Sequence, residues 1–142
     1  MPVLDHSLSI NKFFEEISAV PHGSYNEKAL ADYIIEFAKE NNLRYYRDDT
    51  NNVVIYKGGS KGREKEPPLM LQCHIDMVCE KDRDCKHDFK TEPLKLKIEN
   101  GWLRAEGTTL GADNGTGVSY ILAILSDATV SHPPLELSLI HI

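Results

Sequence analysis

The sequence has no apolar run of bilayer length, so no membrane-spanning helix is expected. Its N-terminus, Met1-Pro-Val-Leu-Asp-His-Ser7, has no basic segment leading into an apolar one, so no secretory leader is expected. Basic charge is in short supply. Sixteen Lys and Arg stand against 22 Asp and Glu, for a net charge of −6. No basic stripe or aromatic–basic interleaving is present, and neither nucleic acid nor an anionic membrane is expected as a partner. Cysteine is sparse and odd in number. Cys73, Cys79 and Cys85 are spaced by six, which fits neither a disulfide framework nor a Cys-x-x-Cys zinc knuckle. Reduced thiols in a cytoplasmic protein are the expectation.

Two catalytic signatures are also missing. Ser24 and Ser119 lie outside any Gly-x-Ser-x-Gly elbow, which argues against a serine hydrolase. The glycine-rich stretch from Gly107 to Gly117 has no Gly-x-x-x-x-Gly-Lys pattern, which argues against a phosphate loop.

What remains is ordinary for a globular domain: 142 residues, 41% hydrophobic and 27% charged, enough for one core. Ser7 or Ser9 could cap a first helix carrying Phe13, Phe14 and Ile17, which Pro21 ends. Ser24 and Glu27 form a capping-box pattern before a second helix with an apolar stripe of Leu30, Ile34, Phe37 and Ala38. Arg44 to Arg47 and Asn52 to Tyr56 read as a hairpin about Asp48 to Asn51. Lys57 to Pro68 is an exposed loop. Leu69-Met-Leu-Gln-Cys-His74 is a continuous apolar run, the pattern of a strand buried on both faces. Asn100-Gly101 marks a second hairpin, and Thr116 to Leu125 a buried helix. Helices alternating with apolar strands point to an α/β fold, with a mixed, largely parallel sheet flanked by helices.

His74 and Asp76 end the apolar run. In an extended chain, residues two apart point the same way. An imidazole beside a carboxylate is how proteins build a zinc ligand with its orienting neighbour. Carboxyl ends of strands are where α/β sheets place ligands. A second carboxylate, Asp113, lies in Gly111-Ala-Asp-Asn-Gly115. Asp113 or Asn114 could cap the following helix, and Asp113 could also bridge two cations, with the glycines allowing close approach. Cys73 is a weaker ligand candidate, because strand neighbours face oppositely. His22, His87 and His132 are further candidates that read more simply as loop histidines.

Ile17-Ser-Ala-Val-Pro-His-Gly-Ser24, Leu71-Gln-Cys-His-Ile-Asp-Met-Val-Cys-Glu-Lys81, His87-Asp-Phe89 and Gly107-Thr-Thr-Leu-Gly-Ala-Asp-Asn-Gly115 occur in that order. Together they resemble the aminoacyl-histidine dipeptidase family. This is the Xaa-His, or cytosol non-specific, branch of the dinuclear zinc peptidases. The resemblance runs from about the first helix to Leu137. Ala-Asp-Asn-Gly is its specific part, since related deacylases and carboxypeptidases look different there.

The resemblance implies that His74 and Asp113 are metal ligands, with Asp113 bridging two zinc ions, or cobalt or manganese. It implies that Asp76 is the catalytic-site carboxylate that orients His74. It also implies hydrolysis of dipeptides by a metal-activated water, and a lid or dimerisation domain through which the parent enzyme forms homodimers.

The same resemblance implies residues this chain lacks. Relatives carry adjacent glutamates, one a general base and one a ligand, after the strand that begins here at His132-Pro-Pro-Leu-Glu136, and later an acidic and a histidine ligand. Glu136 is no substitute, because it belongs to the strand itself. Residues 1–136 are therefore expected to be the N-terminal portion of a peptidase catalytic domain, inactive alone. Residues 137–142, or at least 138–142, are expected to be a non-native tail, since Leu-Ser-Leu-Ile-His-Ile can be encoded by a transposase mosaic end used in DNA library preparation; the alternative is an ordinary hydrophobic strand, because Leu135, Leu137 and Leu139 alternate. The competing readings are a non-catalytic peptide- or metal-binding module, or a related deacylase or carboxypeptidase.

Overall fold

The computed structural model describes residues 1–140. Its elements follow the chain as α1 (Ser9–Ser18), α2 (Lys28–Glu40), β1 (Arg44–Arg47), β2 (Val53–Lys57), β3 (Leu69–His74), β4 (Leu96–Glu99), β5 (Trp102–Ala105), α3 (Ala112–Ser126) and β6 (Leu135–Ile140). A four-stranded sheet has the order β1-β2-β6-β3. β1 with β2 and β2 with β6 are antiparallel, whereas β3 with β6 is parallel. The sheet is mixed and helix-flanked, as expected, and its parallel part is confined to β3 and β6. β4 and β5 form a separate hairpin.

Periodicity explains the layers. Leu135, Leu137 and Leu139 alternate along β6 and are all buried, beside Val53 and Ile55 of β2. Leu30, Ala31, Ile34 and Ala38 form the buried stripe of α2, which lies against β1 and β2. Val118, Ile121, Leu122 and Leu125 are buried on α3, which packs on both α1 and β3. These side chains join Ile17 and Ile75 in one core.

Three expectations are corrected. β3 is not buried on both faces. It is an edge strand in the described sheet, and Leu69 and Met70 are 49% and 60% exposed. Neither Ser7 nor Ser9 caps α1. Leu8 holds the N-cap position, and the Ser7 amide donates to Asp5 Oδ1 instead. Ser24 and Glu27 form no capping box. Glu27 itself stands at the N-cap, and its Oε1 accepts from the Tyr25 amide at 2.6 Å.

The second hairpin is as expected. Asn100 and Gly101 have φ of 53° and 80°, the left-handed pair that a two-residue hairpin turn requires. Of the expected non-native tail, residues 137–140 form part of β6, and residues 141 and 142 lie outside the described residues.

The end of α3 is tied to the sheet by one cation. Lys57 Nζ donates to the carbonyls of Ile124, Leu125 and Asp127 at 3.1, 3.0 and 3.1 Å. These are helix-end acceptors with no intrahelical donor, at the negative end of the helix dipole. Lys57→Met is expected to destabilise the chain by about 1–3 kcal/mol, the usual cost of removing a charged hydrogen-bond donor. Leu137→Ala, at a fully buried position in β6, is expected to cost about 2–5 kcal/mol. Urea unfolding measures both.

Candidate metal centre

β3 ends at His74, and that end defines the candidate site. His74 is level with Ile140 of β6, and the Ile75 amide donates to the Ile140 carbonyl at 2.9 Å. The chain then leaves the sheet, so the imidazole and the residues after it project beyond the carboxyl edge. Across from them lies the start of α3. Gly111 holds its N-cap with φ of 72°. A β-carbon there would sit 3.0 Å from Met77 Sδ and 3.5 Å from His22 Nε2, in a backbone region that L side chains avoid.

Asp113 and Asn114 depart from helical φ and ψ, and the bond between them is cis. The expected capping role for Asp113 or Asn114 is thus replaced. Gly111, not Asp113 or Asn114, stands at the N-cap. Asp113 turns to the sheet instead.

His74 lies between two carboxylates. Its Nε2 donates to Asp113 Oδ1 at 2.9 Å, and its Nδ1 donates to the Asp76 carbonyl at 2.9 Å. Asp76 Oδ1 lies 3.3 Å from the same Nδ1. Asp76 therefore meets the ring with both its backbone and its side chain. Its Oδ2 accepts from Ser24 Oγ at 2.6 Å. Acceptors at both ring nitrogens favour the doubly protonated imidazole. Burial opposes that charge, but the Asp113 hydrogen bond, the Asp76 carbonyl and the two carboxylates outweigh it and raise the His74 pKa.

The donor types suit a divalent metal. A tetrahedral zinc ion holds two ligand atoms about 3.3 Å apart, given bonds of about 2.0–2.1 Å. Nε2 and Oδ1 are a few tenths closer, with a proton where the cation would stand. Asp113 is 94% exposed, so its side chain has room to open. The set stops at this pair. Among the described residues, no group of three or more His, Cys, Asp or Glu is arranged to hold a metal ion.

Of the other candidates, His22 lies beside Gly111 and Asp76 without contacting the His74–Asp113 pair. Cys73 points into the core, and burial pushes its thiol up to about 12. His22 is buried. Its Nδ1 donates to the Val20 carbonyl at 2.6 Å, and desolvation lowers its pKa despite that bond and Asp76 nearby. His87 is buried against Phe89, with Nδ1 3.4 Å from Glu92 Oε2. His132 Nδ1 donates to the Pro133 carbonyl at 2.7 Å. Glu136 is half-buried within β6. Ser119 Oγ donates to the Gly115 carbonyl inside α3.

Ser24 is the residue whose place the sequence misdirected. Its local pattern signals a helix cap, whereas its actual acceptor lies 52 residues away.

Comparison with known proteins agrees with the family resemblance. The chain is 45% identical over 126 residues to the cytosol non-specific dipeptidase of Escherichia coli K12, covering 89% of this chain and 26% of that protein. It superposes on the aminoacylhistidine dipeptidase of Vibrio alginolyticus with a TM-score of 0.91 and 42% identity, covering 94% of this chain and 27% of that one. The chain is a partial-length relative of the aminoacyl-histidine dipeptidases. It spans about a quarter of the length of these two enzymes. A dinuclear metal-binding peptidase of the M20 family from Bacillus subtilis shares the fold, with a TM-score of 0.57 at 13% identity over 95% of this chain and 36% of that one. No protein-family model matches the sequence. No helix among the described residues is long and apolar enough to cross a membrane.

The raised His74 pKa yields a test on the metal-free chain. The stability this ring lends is present in full below the ordinary imidazole value. It is lost as pH rises through the raised one. Asp113→Asn removes one of the carboxylates that hold the proton, so the His74 pKa is expected to fall toward the ordinary value. Histidine NMR titration of the two chains measures the shift.

Proposed function

We propose that this chain is the N-terminal portion of the catalytic domain of a metal-dependent dipeptidase, and that alone it is inactive. The observation carrying this reading is the His74–Asp113 pair at the carboxyl end of β3, in a chain 45% identical to a dipeptidase. His74 and Asp113 would hold the metal, and Asp76 would orient His74 through Nδ1. The bound ion would act as a Lewis acid on the scissile carbonyl.

Zinc suits the nitrogen and oxygen donors, with cobalt and manganese as alternatives. Dipeptides such as Xaa-His are the proposed substrates, and the cytoplasm the proposed location, in keeping with the name of the Escherichia coli relative. The homodimer proposed for the parent enzyme would form through a domain outside this chain.

Inactivity follows from what the pair lacks. Catalytic zinc usually takes three protein ligands and one open position. General-base assistance contributes about 10²–10⁴ in rate, and the resemblance locates that base beyond the residues present here.

The purified 142-residue chain supplied with zinc is expected to hydrolyse Xaa-His dipeptides no faster than buffer. A longer polypeptide from the same gene, extended through the missing ligands, is expected to be active and to lose at least about a hundredfold on His74→Ala. Turnover by the short chain that His74→Ala abolishes would disprove its inactivity. An inactive extended polypeptide would favour the non-catalytic module.

A further inference from the structure

We infer that Ser24 is a positioning residue for the metal centre, acting on His74 through Asp76. The inference rests on the reading of His74 as a metal ligand, and it assigns work to the Pro21–Ser24 loop that this reading leaves unexplained.

The loop is clamped to the segment after β3. The Met77 amide donates to the His22 carbonyl at 3.0 Å, and the Ser24 amide donates back to the Met77 carbonyl at 3.2 Å. Gly23 and Met77 thereby form a parallel bridge. These bonds fix the Ser24 backbone relative to Asp76. Its hydroxyl then donates to Asp76 Oδ2 at 2.6 Å, the short distance of a charge-assisted O–H···O⁻ bond.

Asp76 is buried, so its carboxylate needs donors. Ser24 holds Oδ2 while Oδ1 faces His74 Nδ1 at 3.3 Å. A carboxylate is planar, so fixing one oxygen sets where the other lies. The chain of contacts runs from Ser24 to Asp76, then to His74, and through Nε2 to Asp113. Each link limits rotation of the next. Ser24 thus limits where Oδ1 lies beside the imidazole, whose Nδ1 the Asp76 carbonyl also holds at 2.9 Å, without touching the reacting atoms.

The start of α2 makes no claim on the hydroxyl, whose other acceptor is the Met77 carbonyl at 3.5 Å. Glu27, not Ser24, stands at the N-cap of α2, and no side chain makes a cap bond there.

Partners that orient a ligand histidine are worth about 10–100-fold in metal affinity. Ser24 acts one contact further out, so a smaller effect, about three- to tenfold, is expected. The test compares the wild-type 142-residue chain with Ser24→Ala, Ser24→Thr, Asp76→Ala and the Ser24→Ala/Asp76→Ala double variant. Two readouts are used: the ¹⁵N shifts of the His74 ring without metal, and competition titration with Zn²⁺ alone.

Ser24→Ala is expected to move the His74 ring signals toward those of Asp76→Ala and to weaken zinc binding about three- to tenfold. Ser24→Thr is expected to restore both, and the double variant to lose no more than Asp76→Ala. If Ser24→Ala fails to fold, Ser24→Cys keeps the volume with a weak donor and takes its place. Unchanged ring signals with unchanged zinc affinity would overturn the inference, as would additive losses in the double variant. The ring shift without zinc binding by any of these chains would still support the Ser24 contact, and zinc binding by the extended polypeptide and its His74→Ala variant then decides the metal reading.

Discussion

β6 holds the sheet together, because β2 and β3 each pair with it and not with one another. It runs antiparallel to the first and parallel to the second. Leu135, Leu137 and Leu139 meet the core from one face of this strand. Without that burial, the β1–β2 hairpin and β3 would have no common partner. The site depends on the same strand, since His74 is aligned with Ile140 and Ile75 bonds to it. A slip of one residue would exchange His74 for Cys73 on the face that meets Asp113.

Beyond the sheet edge, burial of a carboxylate sets the arrangement. Asp76 is nearly enclosed and must be supplied with donors. The Pro21–Ser24 loop supplies one, and the imidazole of His74 lies against the other oxygen. The exposed Asp113 then meets the outer ring nitrogen. One side of the histidine is thus held by a buried, hydrogen-bonded group. The other side faces an exposed carboxylate with room to move.

The elements with strong periodicity were legible in the chain. The stripe of α2, the alternation of β6 and the Asn100-Gly101 turn depend on spacing alone, and each forms as its spacing requires. Helix starts were less legible. The serines before α1 and α2 carry cap-like patterns, yet Leu8 and Glu27 stand at the caps. Cap preferences are worth about 1 kcal/mol, so a competing acceptor such as buried Asp76 redirects the hydroxyl of Ser24. The continuous apolar run of β3 suggested burial on both faces, but a run records what a strand can bury and not which neighbours it has. In the described sheet β3 has a neighbour on one side only.

His74, Asp76 and Asp113 could be singled out by residue type, by their place after an apolar run and among glycines, and by the order of the motifs around them. Those are local properties, and the sequence by itself determined them. That His74 Nε2 meets Asp113 across 39 positions, that Asp76 approaches the ring with both carbonyl and carboxylate, and that Ser24 closes the chain of contacts were decided only by the tertiary structure. The first and last of these contacts join segments whose separation is set by how α3 and the Pro21–Ser24 loop pack about the end of β3. Local pattern carries no information about that packing.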